Sequence, residues 1–240
     1  MATVPVLNTR KRDHRFYLFI SILLAAIVFA GFARTFFLNP YFERLHLRPM
    51  FIIHGIVFSS WIALVILQSS LISARQVAIH RRLGYASIVL VLLMIGFAWA
   101  MSVDAVRRGF TPTPAVPPLR FFAISFFDLV NFVVLITAAY LYRNRAEIHK
   151  RLILVSTIVI LTPATARIMF LFSDQAVLIK AYAFDIAVLL ICVAYDAVTA
   201  RRLHRAYVYG GGLFILSIPV RLLISGTDAW LAFAHRITGV

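Results

Sequence analysis

Residues Phe51–Met101 read F-I-I-H-G-I-V-F-S-S-W-I-A-L-V-I-L-Q-S-S-L-I, then S-A-R-Q-V-A-I-H-R-R-L-G-Y, then A-S-I-V-L-V-L-L-M-I-G-F-A-W-A-M. Each apolar run is long enough to cross a bilayer core of roughly 30 Å, which takes about 20 helical residues. The turn between them carries Arg75, Arg81 and Arg82. Such a unit is a transmembrane helical hairpin with a cytoplasmic turn. One histidine stands near each face, His54 inside the start of the first helix and His80 where the second helix enters.

The rest of the chain repeats this unit. An apolar run over 16–38 precedes it, and further runs follow at approximately 119–142, 151–173, 179–199 and 207–226, with the hairpin itself at 50–73 and 82–103. The expected fold is therefore an all-α membrane protein of seven transmembrane helices, one lead-in helix plus three hairpins. A basic segment, 1–15, leads into it, and a short tail, 227–240, lies at the outer interface. D-A-W-L-A-F-A-H-R-I in that tail has the pattern of an amphipathic helix anchored by Trp230. With 62% hydrophobic residues and a mean hydropathy of +0.92, no soluble domain could bury so much apolar surface.

The net charge of +15 is spread between the apolar runs. That distribution suits topogenic charge and attraction to the lipid bilayer, and argues against nucleic acid as a partner. Counted along the alternating connections, basic residues divide fourteen to seven in favour of a cytoplasmic N-terminus. The C-terminus is then outside. One cysteine, Cys192, excludes an intramolecular disulfide and a thiolate metal cage. The T-P-T-P-A-V-P-P stretch between Arg107 and Arg120 can form neither helix nor central strand and is expected to lie extended over the outer surface.

The inner turns match one another. H-R-R-L-G-Y at His80 resembles H-K-R-L-I-L at His149, with a weaker copy at His204. Superposing them brings His54, Asp128 and Asp185 to equivalent places in the outer halves of their spans. Asn131 lies one turn from Asp128. Arg167 and Arg221 follow prolines within a turn, which predicts a bend beneath each charge, and Arg34 lies near the outer end of the first helix. A lone Asp or Arg deep in a span costs roughly 2.5–3.5 kcal/mol on insertion scales, so these residues must pair, snorkel or line a shared polar interior. Such an interior would suit an anionic or quinone-like head group, a metal or a proton relay. Haem b requires two imidazoles at one depth on different helices, and His80 and His149 satisfy that requirement near the inner face.

The H-G-x-x-x-x-x-W helix at His54, the Q-x-x-L-I exit at Gln68, the I-H-R-R-L-G turn and H-K-R-L at His149 resemble a group of uncharacterised bacterial multi-pass membrane proteins. R-D-H-R-F-Y at Arg12 and A-G-F-A-R at Ala30 extend the resemblance over most of the chain. It implies a bacterial inner-membrane protein with seven helices. A more distant similarity is to membrane proteins that assemble haem-containing oxidases and to b-type membrane cytochromes, which keeps His54, His80 and His149 in view as haem or metal ligands. Three functions follow as expectations. The first is a haem b or quinone-linked redox protein. The second is an accessory or assembly subunit of a respiratory or photosynthetic complex, and the third a transporter of a small anion or proton-coupled solute using Asp128 and Asp185.

Overall fold

The computed structural model describes residues 6–112, 116–173 and 175–240. The chain is 82% helical, with no strand among the described residues. In order the helices are α1 (Val6–Phe32), continued by a π-helical turn (Ala33–Phe37), α2 (Pro49–Ser73), α3 (Val77–Arg107), α4 (Pro118–Leu141), α5 (Ala146–Val159), α6 (Thr162–Phe170), α7 (Val177–Ala200), α8 (Arg205–Ile224) and α9 (Asp228–Thr238). Six are long and apolar enough to cross a membrane, and α5 with α6, bent by 42° at a short break, would make a seventh if they form one span. The protein is a multi-pass membrane protein.

Local chemistry sets these boundaries. Pro49 and Pro118 stand at the first position of α2 and α4, where a missing N–H costs nothing. The break between α5 and α6 covers Ile160 and Leu161, just before Pro163, which has no N–H to continue the hydrogen-bond ladder back into α5. Pro219 is different: α8 runs unbroken through it, so no break forms beneath Arg221. The basic lead-in is helical from Val6 onward and lengthens α1. Residues 113–115 of the T-P-T-P-A-V-P-P stretch lie outside the described residues, as do residues 1–5.

The chain divides into two compact units, residues 1–94 with 163–178 and residues 95–162 with 179–240. In the first, α1 packs along α2. Ile20, Leu24 and Ile27 recur at helical spacing and are buried, as are Val57, Trp61 and Val65. Ser21 and Ser69 bridge the two helices through their hydroxyls at 3.0 Å.

In the second unit, α4, α5 and α8 pack on one another. Gly210 and Gly211 let α8 approach closely: a Cβ at Gly210 would lie 3.1 Å from Leu135, and one at Gly211 3.1 Å from Leu189. The tail forms α9 as expected, yet Trp230 is no headgroup anchor. It is buried against Val103, Val106, Phe122, Ala123 and Ala234, and its indole N–H donates to the Leu119 carbonyl at 3.0 Å. A continuous aromatic surface on α4 outcompetes the interface for that ring.

Candidate functional site

The first unit holds an arginine packed on the end of α1 and, next to the glycine that meets the π-helical turn, an imidazole. Gly31 near the end of α1 faces α6 so closely that any Cβ there would collide with the Ala164 backbone. That contact places Phe32 beneath Arg167, whose guanidinium carbon lies 4.4 Å from the ring centroid. On α2, Gly55 leaves room for the Phe36 ring, which the π-helical turn delivers. His54, the neighbouring residue, stacks on Phe58 with centroids 4.3 Å apart, and its buried Nδ1 has no hydrogen-bond partner. Arg167 acts electrostatically on His54.

Arg167 has few protein partners. Nη1 donates to the Pro163 carbonyl at 2.7 Å, and among the described residues no carboxylate meets the guanidinium. A cation over a Phe face gains about 0.5–2 kcal/mol, and the rest of the Arg167 side chain is exposed and not enclosed by protein. The remaining N–H groups are free to meet an acceptor from outside the chain. Arg34 behaves otherwise: it pairs with Glu43 at 2.9 Å, in the connection after the π-helical turn, and both side chains are exposed.

The second unit holds two buried networks. In one, fully buried Arg221 on α8 pairs with Asp128 on α4 through Nη1, which also meets the Tyr182 hydroxyl of α7 at 2.9 Å. Its Nη2 donates to Ser217 Oγ at 2.7 Å and its Nε to the Ser217 carbonyl at 3.2 Å. Asn131 joins by donating to Ser217 Oγ at 2.7 Å. The guanidinium's charge and geometry are thus used by three helices at once. Asp185, one turn from Tyr182, accepts from Thr162 Oγ1 at 2.9 Å.

The other network is built on Arg151, one of the basic residues counted toward a cytoplasmic N-terminus. It is buried and pairs with Asp196 on α7 and with Glu147 one turn earlier, at 2.6 Å for the latter. The Tyr207 ring lies 6.0 Å from its guanidinium carbon. His204 caps α8: its Nδ1 accepts from the Ala206 N–H at 3.2 Å, which leaves the proton of the neutral ring on Nε2. That tautomer is a donor and not a ligand. His149 shows the opposite arrangement. A carbonyl can only accept, so its Nδ1–H donates to Ala139 O at 2.8 Å and Nε2 keeps its lone pair.

Of the expected site residues, then, Asp128, Asn131 and Arg221 form one network, Asp185 bonds Thr162, and His54 is coupled to Arg167. His80 belongs to the first unit and His149 to the second. Among the described residues no group of three or more His, Cys, Asp and Glu could hold a metal ion. Tyr182, Ser217, Thr162 and Asp196 escaped the reading of the sequence. Their signal was present: Tyr182, Asp185, Leu189, Cys192 and Asp196 recur at spacings of three and four along α7, a stripe on one face, and all five are buried. Neither a family model nor a curated protein nor a solved structure matches this chain.

Proposed function

We propose that this is a quinone-linked redox protein of the bacterial inner membrane, N-terminus inside, and that the quinone head group is held in the first unit by Arg167 and His54. One observation carries the reading: a guanidinium that meets no carboxylate among the described residues lies within electrostatic reach of an imidazole whose buried Nδ1 has no hydrogen-bond partner. A quinone offers two carbonyl acceptors and a flat ring, and its isoprenoid tail is at home in the bilayer. Arg167 supplies fixed N–H donors, His54 a donor that can also carry a proton, and the Phe32 and Phe58 rings an apolar wall. Reduction of a quinone to a quinol takes two electrons and two protons, so a titratable group beside the head group has a role in the chemistry.

The test is extraction of the protein, purified in mild detergent, with organic solvent followed by chromatography. Quinone is expected at close to one equivalent, and Arg167→Gln and His54→Leu are expected to lose it while keeping their helix content. Extracts no richer in quinone than those from an unrelated membrane protein would overturn the reading.

A second reading, haem b with His149 as an axial ligand, is favoured by the Ala139 carbonyl, which orients the ring and keeps Nε2 available. Haem would supply one-electron chemistry. A Soret band in the purified protein that His149→Ala abolishes is the expected result, and protein without iron or Soret absorbance removes the assignment.

A further inference from the structure

One end of the second unit gathers five exposed arginines. The α4–α5 connection carries Arg143 and Arg145, and the α7–α8 connection carries Arg201 and Arg202, with Arg205 opening α8. All five side chains are exposed. The Arg151–Asp196 pair ties α5 to α7 about one turn beneath these connections, and Tyr207 beside Arg151 brings in α8. Both acids of this end are already paired. Asp196 is buried on Arg151, and Glu147 is shared by Arg151 and Lys150 at 2.6 and 2.8 Å.

Topogenic charge alone does not require this arrangement, and the backbone supplies a second observation. Arg201 follows the last residue of α7 with φ +53°, the left-handed conformation where glycine is the ordinary choice and a side chain is strained. A cation is kept there against that strain. At the ends of the same helices Leu141, which closes α4, Leu203 in the α7–α8 connection and Tyr209 near the start of α8 are strongly exposed apolar side chains.

We infer that this end of the second unit is a binding site for an anionic phospholipid with two phosphates on one head group. The phosphates lie among Arg143, Arg145, Arg201, Arg202 and Arg205, and the acyl chains run along Leu141, Leu203 and Tyr209. Guanidinium groups match phosphate geometry bidentately, and basic pockets between transmembrane helices bind such head groups. The site is independent of the Arg167–His54 site.

The test is native mass spectrometry of the full chain in neutral detergent with added diphosphatidylglycerol, phosphatidylglycerol or the deacylated diphosphate head group. Diphosphatidylglycerol is expected to be retained at concentrations where the other two are not. Equal retention of phosphatidylglycerol, or of the head group alone, overturns the inference. Arg145→Gln with Arg202→Gln should weaken retention about fivefold per arginine removed. Arg44→Gln with Arg236→Gln changes the net charge equally and should leave retention unchanged; equal loss in both pairs would reduce the effect to bulk charge and sink the site. Arg201→Gly separates binding from folding. It relieves the left-handed strain, so thermal stability should hold or rise while lipid retention falls, and unchanged retention removes Arg201 and its strain from the argument.

Discussion

Arg151 and Asp196 are joined as a buried ion pair in the second unit, and eleven residues further along the chain from Arg151, and as many back from Asp196, Thr162 donates to Asp185. The α5 segment and α7 are thereby fixed antiparallel and in one register, with about 16 Å of helix rise between the two contacts. Val155, Ile158, Leu189 and Cys192 lie between and are buried, so an apolar layer separates the polar levels.

Removing one partner of the lower contact should be costly. Asp196→Leu leaves the buried Arg151 guanidinium with the largely exposed Glu147 as its carboxylate partner, and the expected loss is about 3 kcal/mol, the low end for breaking a buried pair, in a reversible unfolding titration in mixed detergent micelles. The double variant Arg151→Met, Asp196→Leu removes both charges and should recover most of it. A double variant as unstable as the single one would show that the pair acts through shape and not charge.

Arg221 makes a different prediction, because its value lies in geometry. Lysine keeps the charge but offers a compact ammonium, which cannot reach Asp128, Tyr182 and Ser217 together. Arg221→Lys should therefore destabilise nearly as much as Arg221→Met, whereas Asn131→Ala, which removes one hydrogen bond to Ser217, should cost only about 1 kcal/mol. Full tolerance of lysine would make the site a charge balance only.

His204 gives the chain a pH dependence outside the membrane spans. Burial, and then the Arg151 charge, hold its imidazole below the ordinary 6.5, with Asp196 and Glu147 opposing. The folded state prefers the neutral ring, whose Nδ1 must accept from Ala206. The contribution is complete above pH 6.5 and is lost as pH falls from there through the lowered folded value. His204→Asn keeps a good cap without a titrating group and should flatten stability across that window, while His204→Ala should cost about 1 kcal/mol at neutral pH.

The architecture was legible because bilayer thickness fixes a length, and six helices among the described residues meet it, with α5 and α6 meeting it only as a pair. Asp128, Asn131 and Arg221 were legible as polar residues that a lipid-facing helix could not tolerate. The partners were not. Arg151 stands at the end of an apolar run, where a charge ordinarily faces water, and nothing local says that Asp196, on another helix, turns inward to meet it. Trp230 has an interfacial residue's pattern, but its burial depends on Phe122, Phe126 and Phe127 presenting rings to it. Which arginine meets a carboxylate was likewise a matter of packing: Arg221 found Asp128, and among the described residues Arg167 found Phe32 and a carbonyl.

Two glycines of the first unit should respond differently to the same added methyl. At Gly31 the obstacle is the Ala164 backbone, which can yield only if α1 and α6 separate. At Gly55 it is the outer edge of the Phe36 ring, a side chain with freedom to swing. Gly31→Ala should thus cost roughly 1–3 kcal/mol, the range for overpacking, and should draw Phe32 away from Arg167. Gly55→Ala should cost less than half as much. Under the proposed function, quinone retention would separate the two further, because only the first substitution moves an element that carries Arg167. If Gly31→Ala binds quinone as the parent does, the close approach of α1 to α6 has no part in shaping the site; if Gly55→Ala is the more damaging, Phe36 is held more rigidly by Phe37, which it meets edge-on at 5.2 Å, than a free ring would be.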